Sequence, residues 1–213
     1  GKIAITWDLK ALKDKADAAV DFTVPQATLA HLELLSGWKK TAMVVGTTGF
    51  SEKEMSAVRE FAKKMPVVLS PNMSRAMNLM IQLAREMARK LSDYDIEIVE
   101  AHHNQKKDAP SGTALALAKE IADELKRNEK SDFVYGREGS VGARKKKEIG
   151  IHAVRAGDIV GDHTVLFATA GERLELTHRA ASRDAFANGA LHAAKWLSGK
   201  KPGLYSMKDV LEG

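Results

Sequence analysis

Ala42-Met43-Val44-Val45-Gly46-Thr47-Thr48-Gly49-Phe50-Ser51-Glu52-Lys53-Glu54 is the stretch from which the architecture is read. Four consecutive apolar residues without alternation suit a strand buried on both faces, as in a parallel sheet. The run ends in glycines and hydroxyls, and Ser51 with Glu54 three residues on is a capping box opening a helix to about Met65. The same unit recurs on either side. Upstream, Ala18 to Phe22 reads as a strand, and Thr23-Val24-Pro25 leads into a helix from about Gln26 to Ser36 with Pro25 near its first turn. Downstream, Val67-Val68-Leu69 is a third strand ending in Ser70-Pro71-Asn72-Met73. Strands alternating with helices imply an α/β fold with a parallel sheet. Three polar loops then lie at the carboxyl ends of strands, where open sheets bind ligands.

Beyond Met73 the pattern changes. A long helix is expected from Ser74 to Leu91, with Met77, Met80, Ile81, Ala84, Met87 and Ala88 at core spacing, the methionines filling irregular apolar gaps. Asp95 to Glu100 alternates as a half-buried strand does. The polar loop from His102 to Pro110 precedes a helix from Thr113 to about Arg127. Asn128 to Glu148 has no period and reads as a long mobile loop. Strands are expected over Ile149 to Val154, Thr164 to Thr169 and Arg173 to Arg179, the last two joined as a hairpin, and a closing helix runs from Asp184 to Ser198 with Ser182 as N-cap. Neighbouring strands backed by helices make a mixed α+β domain.

Composition narrows the function. With 213 residues, 44% apolar and 29% charged, the chain can build one large core or two small ones. No apolar run approaches the ~18 residues a spanning helix requires, so no membrane partner is expected. The absence of cysteine excludes disulfides, thiolate nucleophiles and Cys-based metal sites, which fits a cytoplasmic enzyme, and no secretory signal opens the chain. Much of the net charge of +5 lies in Lys106-Lys107 and in Arg144-Lys145-Lys146-Lys147; the latter run reads as a solvated loop, and a small anionic substrate would explain the local charge equally well. With 6% aromatics there is little material for stacking bases, so no nucleic-acid partner is expected. A nucleic-acid binder would instead show a strongly salt-dependent affinity.

The densest polar constellation is Glu100-Ala101-His102-His103-Asn104-Gln105-Lys106-Lys107-Asp108-Ala109-Pro110-Ser111-Gly112-Thr113-Ala114. Ser111-Gly112-Thr113 at a helix N-terminus offers amide N–H groups and the positive end of the macrodipole to a carboxylate or phosphate. Lys106 adds a full positive charge. The histidines supply the side chain that exchanges protons near neutrality. Taken singly, each residue would serve equally well as a cap or a surface group; their concentration in one loop is what favours a site. Adjacent histidines on an extended segment point apart, and no second ligand cluster has zinc spacing, so no metal is expected. Gly46-Thr47-Thr48-Gly49 would let a flat ring or a ribose approach the backbone, as many sheet loops would. His31, His152, His163, His178 and His192 read as structural or surface residues, and Asp158 and Asp162 as turn formers in a Gly-punctuated loop.

At these residues the chain resembles the dihydrodipicolinate reductase family. The resemblance is carried by Glu100-Ala101-His102-His103 with Lys106 and Asp108 to Ala114, by Val45 to Phe50, by Ser70 to Ser74, by Arg155-Ala156-Gly157-Asp158-Ile159-Val160-Gly161 and by Phe186 to Ala190, in order from about Asp17 to Leu211. It implies a Rossmann-like dinucleotide-binding domain over residues 1–73 and 183–213, and an inserted α+β domain with a mixed sheet over 74–182 that binds substrate and forms the core of a homotetramer. It further implies NAD(P)H-dependent reduction of 4-hydroxy-tetrahydrodipicolinate in lysine and diaminopimelate biosynthesis. His102 would exchange a proton and Lys106 donate one, while His103, Ser111, Gly112 and Thr113 hold the substrate's carboxylates. Gly46, Thr47 and Thr48 with Ser70, Pro71, Asn72 and Met73 would line the nicotinamide end of NADH or NADPH. Asn104-Gln105 and Arg75-Ala76-Met77 depart from the family pattern. The family's first strand, its G-x-x-G-x-x-G turn and its ribose-binding acid do not precede Thr6. The opening at Gly1 therefore reads as a chain entered part-way, or as a truncated form impaired in cofactor binding that still binds dicarboxylates or assembles as an oligomer.

Overall fold

A computed structural model of the chain describes residues 5–13, 15–38 and 40–213. The opening Gly1–Ala4, on which the reading of a chain entered part-way rests, lies outside them. The chain folds as two compact units, one of the residues up to Arg75 together with Phe186–Gly213, the other Ala76–Ala185. No helix among the described residues is long and apolar enough to cross a membrane.

After a short 3-10 helix at Leu9–Leu12, the first unit runs β1 (Ala18–Asp21), α1 (Pro25–Ser36), β2 (Ala42–Val45), α2 (Glu52–Ala62), β3 (Pro66–Leu69). Pro25 occupies the first turn of α1, where its missing N–H costs nothing and its fixed φ already suits a helix. The capping box of α2 is formed: the Glu54 N–H donates to Ser51 Oγ at 3.3 Å, and the Ser51 N–H to the Glu54 carboxylate at 2.8 Å. The helix stops at Ala62, three residues before the expected Met65, because the N–H groups of Lys64 and Met65 both turn back to the Phe61 carbonyl.

The second unit continues with α3 (Arg75–Lys90), β4 (Asp95–His102), α4 (Gly112–Leu125), α5 (Glu129–Asp132), β5 (Phe133–Tyr135), β6 (Ile149–Arg155), β7 (Gly161–Thr169) and β8 (Glu172–Ala180). Its sheet runs β5-β6-β4-β7-β8, parallel from β5 to β4 and antiparallel from β4 to β8. Period-2 alternation turns Ile96, Ile98, Ile149, Ile151, Val165 and Phe167 to one face, against Met77, Met80 and Ala84 of α3 and Leu117, Ala118 and Ile121 of α4. Each of the larger side chains among them contributes about 2 kcal/mol by removal from water.

Two expectations for this unit are corrected. Asn128 to Glu148 is not structureless: α5 and β5 lie in it, and β5 pairs with β6 in register Phe133 to Ile149. Nor does Arg144 lie in a solvated run. Its guanidinium reaches Glu97 at 2.9 Å, Asp95 at 2.8 Å and the carbonyl oxygens of Ile96 and Glu148 at 3.0 and 2.6 Å. Arg137 grips the same Glu97 through two bonds of 2.9 Å, and His152 adds one of 2.7 Å. Burial alone would raise the Glu97 pKa, but these partners pull it down to about 2. Lys145, Lys146 and Lys147 are exposed as expected.

The chain then returns through α6 (Asp184–Leu197), β9 (Gly203–Tyr205) and α7 (Met207–Glu212) to the first unit. The Asp184 N–H donates to Ser182 Oγ at 3.1 Å, the expected cap. The first sheet is β1-β2-β3-β9, all parallel. Met43, Val45 and Val67 pack on α1 and α2, whereas Ala42, Val44 and Val68 pack on α6 and α7. The sheet is thus buried on both faces, as its unbroken apolar strands require.

Candidate active site

Along β4 the inward positions are Ile96, Ile98, Glu100 and His102. The strand therefore carries one row of side chains from the apolar core to a polar end. Glu100 is 0% exposed. One of its oxygens accepts from His102 Nδ1 at 2.7 Å and an Arg155 guanidinium nitrogen at 2.8 Å; the other accepts from the Ser111 N–H at 2.9 Å and the second Arg155 nitrogen at 2.8 Å. Burial would raise its pKa, but these four bonds hold it below the ordinary glutamate value. An ionised carboxylate only accepts, so His102 Nδ1 carries the proton and Nε2 occupies the far edge of the ring. A Cβ at Gly161 on β7 would lie 3.1 Å from that Nε2, so glycine leaves the ring its space.

Ser111 is the N-cap of α4: its Oγ accepts from the Ala114 N–H at 3.1 Å and shares a 3.0 Å hydrogen bond with His163 Nε2. The first-turn amides of α4 point out of the helix there, at the positive end of its dipole. The His163 ring stands edge-on to His102 with centroids 5.2 Å apart. Burial, reinforced by the charge of neighbouring His102, pushes the His163 pKa down to about 4, leaving it neutral at pH 7. Lys106 Nζ donates to Asp108 at 2.9 Å, which keeps the Asp108 carboxyl ionised below its usual range. Arg155 extends from Glu100 to the Asp108 carbonyl at 2.7 Å. The loop after β6 closes this edge: the Ala156 N–H donates to the His102 carbonyl at 2.9 Å and the Asn104 N–H to that of Gly157 at 3.1 Å.

The six residues expected to hold and protonate a substrate, His102, His103, Lys106, Ser111, Gly112 and Thr113, therefore all lie on the β4–α4 connection and its two ends. Glu100 joins His102 directly to Ser111, and Arg155 with Asp108 extends the network to Lys106. His103 follows β4 half-buried, its carbonyl accepting the Lys106 N–H at 3.1 Å, and its side chain takes no part in the Glu100 network. Three members carried no assigned role in the sequence: Glu100, Arg155 and His163. Parity would have found two of them. Glu100 shares a strand face with Ile96 and Ile98, and His163 with Val165 and Phe167, so each is a polar group placed where the core continues.

The residues expected at a cofactor lie on the first unit. Gly46, Thr47 and Thr48 follow β2; Ser70, Pro71, Asn72 and Met73 follow β3. Thr47, Ser70 and Met73 are buried, and their side chains build the loops themselves. Thr47 Oγ1 accepts from the Thr23 N–H at 3.0 Å and Thr28 Oγ1 at 2.9 Å and donates to Asp21 at 3.3 Å. Ser70 Oγ donates to the Asn72 carbonyl at 2.8 Å, and Asn72 Oδ1 accepts from the Ser74 N–H at 2.9 Å. Asp21 is 4% exposed; burial would raise its pKa, but His31 Nδ1 at 2.8 Å and the Thr23 N–H and hydroxyl at 2.9 and 2.6 Å hold it below the ordinary value. A Cβ at Gly189 of α6 would sit 1.8 Å from the Met73 carbonyl oxygen, so only glycine lets this helix pass so close to the loop.

The family models described as dihydrodipicolinate reductase, N-terminus, and dihydrodipicolinate reductase, C-terminus, match residues 1–73 and 76–211. Over 210 residues the chain is 53% identical to 4-hydroxy-tetrahydrodipicolinate reductase of Magnetococcus marinus and 51% identical to that of Syntrophus aciditrophicus. Each alignment spans 98% of this chain and 78% of the relative. The structure of dipicolinate-bound dihydrodipicolinate reductase from Paenisporosarcina sp. TG-14 matches with a TM-score of 0.77 at 27% identity, over 99% of this chain and 82% of that one. With a Rossmann-like parallel-sheet unit, a mixed-sheet unit and both family models matched in order, the chain belongs to the dihydrodipicolinate reductase family of NAD(P)H-dependent oxidoreductases.

Proposed function

We propose that this chain reduces 4-hydroxy-tetrahydrodipicolinate to tetrahydrodipicolinate in the cytoplasm, on the route to diaminopimelate and lysine, through the residues of the β4–α4 connection. The observation that carries the reading is the buried Glu100 carboxylate, which ties a proton-exchanging histidine to a helix N-terminus suited to carboxylates. The dipicolinate bound to the Paenisporosarcina relative supports a dicarboxylate as the ligand class. Ser111, Gly112 and Thr113 hold one carboxylate at the start of α4, and His103 the other. Lys106 leaves its partner Asp108 for the incoming anion and supplies a cation and a proton. His102 exchanges a proton at Nε2. Overall, the substrate ring gains a hydride and a proton and loses its hydroxyl as water. The fixed positive groups stabilise the dianion and the charge that develops on reduction.

NADH or NADPH supplies the hydride when bound. The loops after β2 and β3 fit such a group: their side chains Thr47 and Ser70 are anchored inward, which leaves the glycine and backbone edges of Gly46 and Thr48 and the polar Asn72 at the surface of the sheet's carboxyl end. Gly46, Thr47, Thr48 and Ser70 to Met73 would hold it there. On this reading residues 1–73 and 183–213 serve the dinucleotide and 74–182 the substrate. The second unit also joins a homotetramer, an assembly supported by the outward face of its sheet, where Val154 of β6 is 44% exposed.

A coupled assay that follows NAD(P)H oxidation with synthase-generated substrate tests the reading. His102→Gln and Lys106→Ala should each slow the reaction; variants as fast as the parent would overturn it.

A further inference from the structure

The roles above leave a buried carboxylate, Glu100, and its half-buried partner Arg155 unexplained. Neither Glu100 nor Arg155 has been given a part in binding or proton exchange, and neither is needed to cap α4, which Ser111 Oγ does. Yet every oxygen of Glu100 is used twice, and its four donors come from three separate elements: His102 on β4, Arg155 on β6 and the amide that opens α4.

We propose that Glu100 and Arg155 are positioning residues that lock the proton-exchanging His102 and the carboxylate-binding turn into one rigid body. The proposal rests on the acid–base role of His102 given above. Glu100 fixes His102 in the Nδ1–H tautomer and, with its other oxygen, holds the Ser111 N–H, so the proton donor and the anion cradle keep a constant separation. Arg155 balances the buried charge and, through the Asp108 carbonyl, carries the same constraint to the loop that bears Lys106. A glutamine in place of Glu100 offers only one acceptor oxygen. Its amide would set donor against donor at Arg155 in either orientation, and in addition at the Ser111 N–H or at His102 Nδ1–H. The arrangement thus requires a carboxylate, and its charge acts on the His102 ring. The other titratable group packed against that ring is His163 on β7, which itself feels His178 on β8 and Lys106 on the loop after β4, and the variants below leave all three in place.

Opposite charge changes distinguish positioning from bulk structure. In pH profiles of kcat/KM on the full-length protein, the pKa that His102→Gln abolishes should fall in Glu100→Gln, because an anion beside the ring is lost. It should rise in Arg155→Gln, which leaves that anion uncompensated. Glu100→Gln should also lower kcat at least about tenfold, and Glu100→Asp should restore the pKa but not the rate, since the shorter side chain spans only one of its two arms. Loss of rate in both variants with the pKa unmoved, or moved in one direction, would overturn the proposal. If Glu100→Gln does not fold, Arg155→Gln decides alone, by a rise or its absence. His102→Gln retaining full activity would instead sink the acid–base reading itself.

Discussion

Each unit of this protein ends a strand in a buried carboxylate paired with a histidine. In the first, Asp21 closes β1 and meets His31 Nδ1 at 2.8 Å; in the second, Glu100 lies near the end of β4 and meets His102 Nδ1 at 2.7 Å. The two pairs share the contact of a carboxylate with Nδ1, and both carboxylates are held ionised by their donors. Their surroundings separate them. Asp21 spends its remaining capacity on Thr23 and Thr47, groups that shape the loops after β1 and β2. Glu100 spends its own on a guanidinium and on the amide that opens α4. His102 is 12% exposed beside a second histidine and a lysine loop, whereas His31 is 36% exposed on the side of α1. An acid–histidine pair is therefore a building block whose meaning is set by its third partner.

The largest expected effect tests that contrast directly. His102→Gln should lower kcat by about 100- to 10,000-fold, the usual contribution of a positioned acid or base. His31→Gln should change kcat less than about threefold and act on the thermal midpoint instead, through a hydrogen bond of about 1 kcal/mol. Equal losses of kcat in the coupled assay would erase the distinction between the two pairs.

A second difference is the buried His163 behind His102, with no counterpart in the Asp21 network. Its folded pKa of about 4 lies below the ordinary 6.5, so between these values the unfolded chain binds more protons than the folded one. Stability should therefore fall as pH drops from about 6.5 to 4, by up to about 3 kcal/mol from this residue at about 1.4 kcal/mol per unit. In His163→Asn that part of the loss should vanish. Denaturant titrations at pH 7 and pH 4.5 check it, and identical pH dependence in both proteins would refute the assignment.

Much of this was legible in residues that act locally. Ser51 and Glu54 announced α2 because a capping box needs only a turn of chain, and Ala42 to Val45 announced a sheet buried on both faces. Elements made by pairing were not legible. The three-residue strands β5 and β9 are too short to show a period, and each exists through a neighbour, β6 or β3. α7 carried a capping box at Ser206 and Asp209 that repeats the logic of α2, and it escaped notice because its helix has only six residues. Arg144 looked like one cation in a solvated run, since its partners Asp95 and Glu97 stand nearly fifty residues away. At the site, His102, Lys106 and Ser111 could be singled out as types, but the carboxylate that unites them needed strand parity, and Arg155 needed the pairing of β4 with β6.

The two regions also differ in how much they can give. At Gly189 an added methyl would meet the Met73 backbone carbonyl at 1.8 Å, which has no rotamer to move. At Gly161 it would meet the edge of the His102 ring at 3.1 Å, which can tilt by a few tenths of an ångström. Gly189→Ala should cost on the order of 2 kcal/mol as overpacking and lower the thermal midpoint. Gly161→Ala should leave that midpoint nearly unchanged and lower kcat instead. A reversal, with Gly161→Ala unfolding the protein and Gly189→Ala only slowing it, would mean that the rigid part of the molecule has been misplaced.

The smallest expected effects separate the two loops by ligand. In Thr47→Val the shape is kept, but the Thr23 N–H loses one of its two acceptors, the Thr28 hydroxyl loses its acceptor on Thr47 and Asp21 loses a donor, a cost of about 1 kcal/mol. That penalty falls on the loop after β2, so KM for the dinucleotide should rise several-fold while KM for the dicarboxylate stays level. In Ser111→Ala the cap of α4 is lost, again for about 1 kcal/mol, and the first turn that holds the carboxylate loosens. Here KM for the dicarboxylate should rise and that for the dinucleotide stay level. Because the two substitutions cost the fold about the same, a common effect through stability would raise both constants in both variants. Only a crossed pattern of KM values ties the hydroxyl network around Asp21 to one ligand and the charge network around Glu100 to the other.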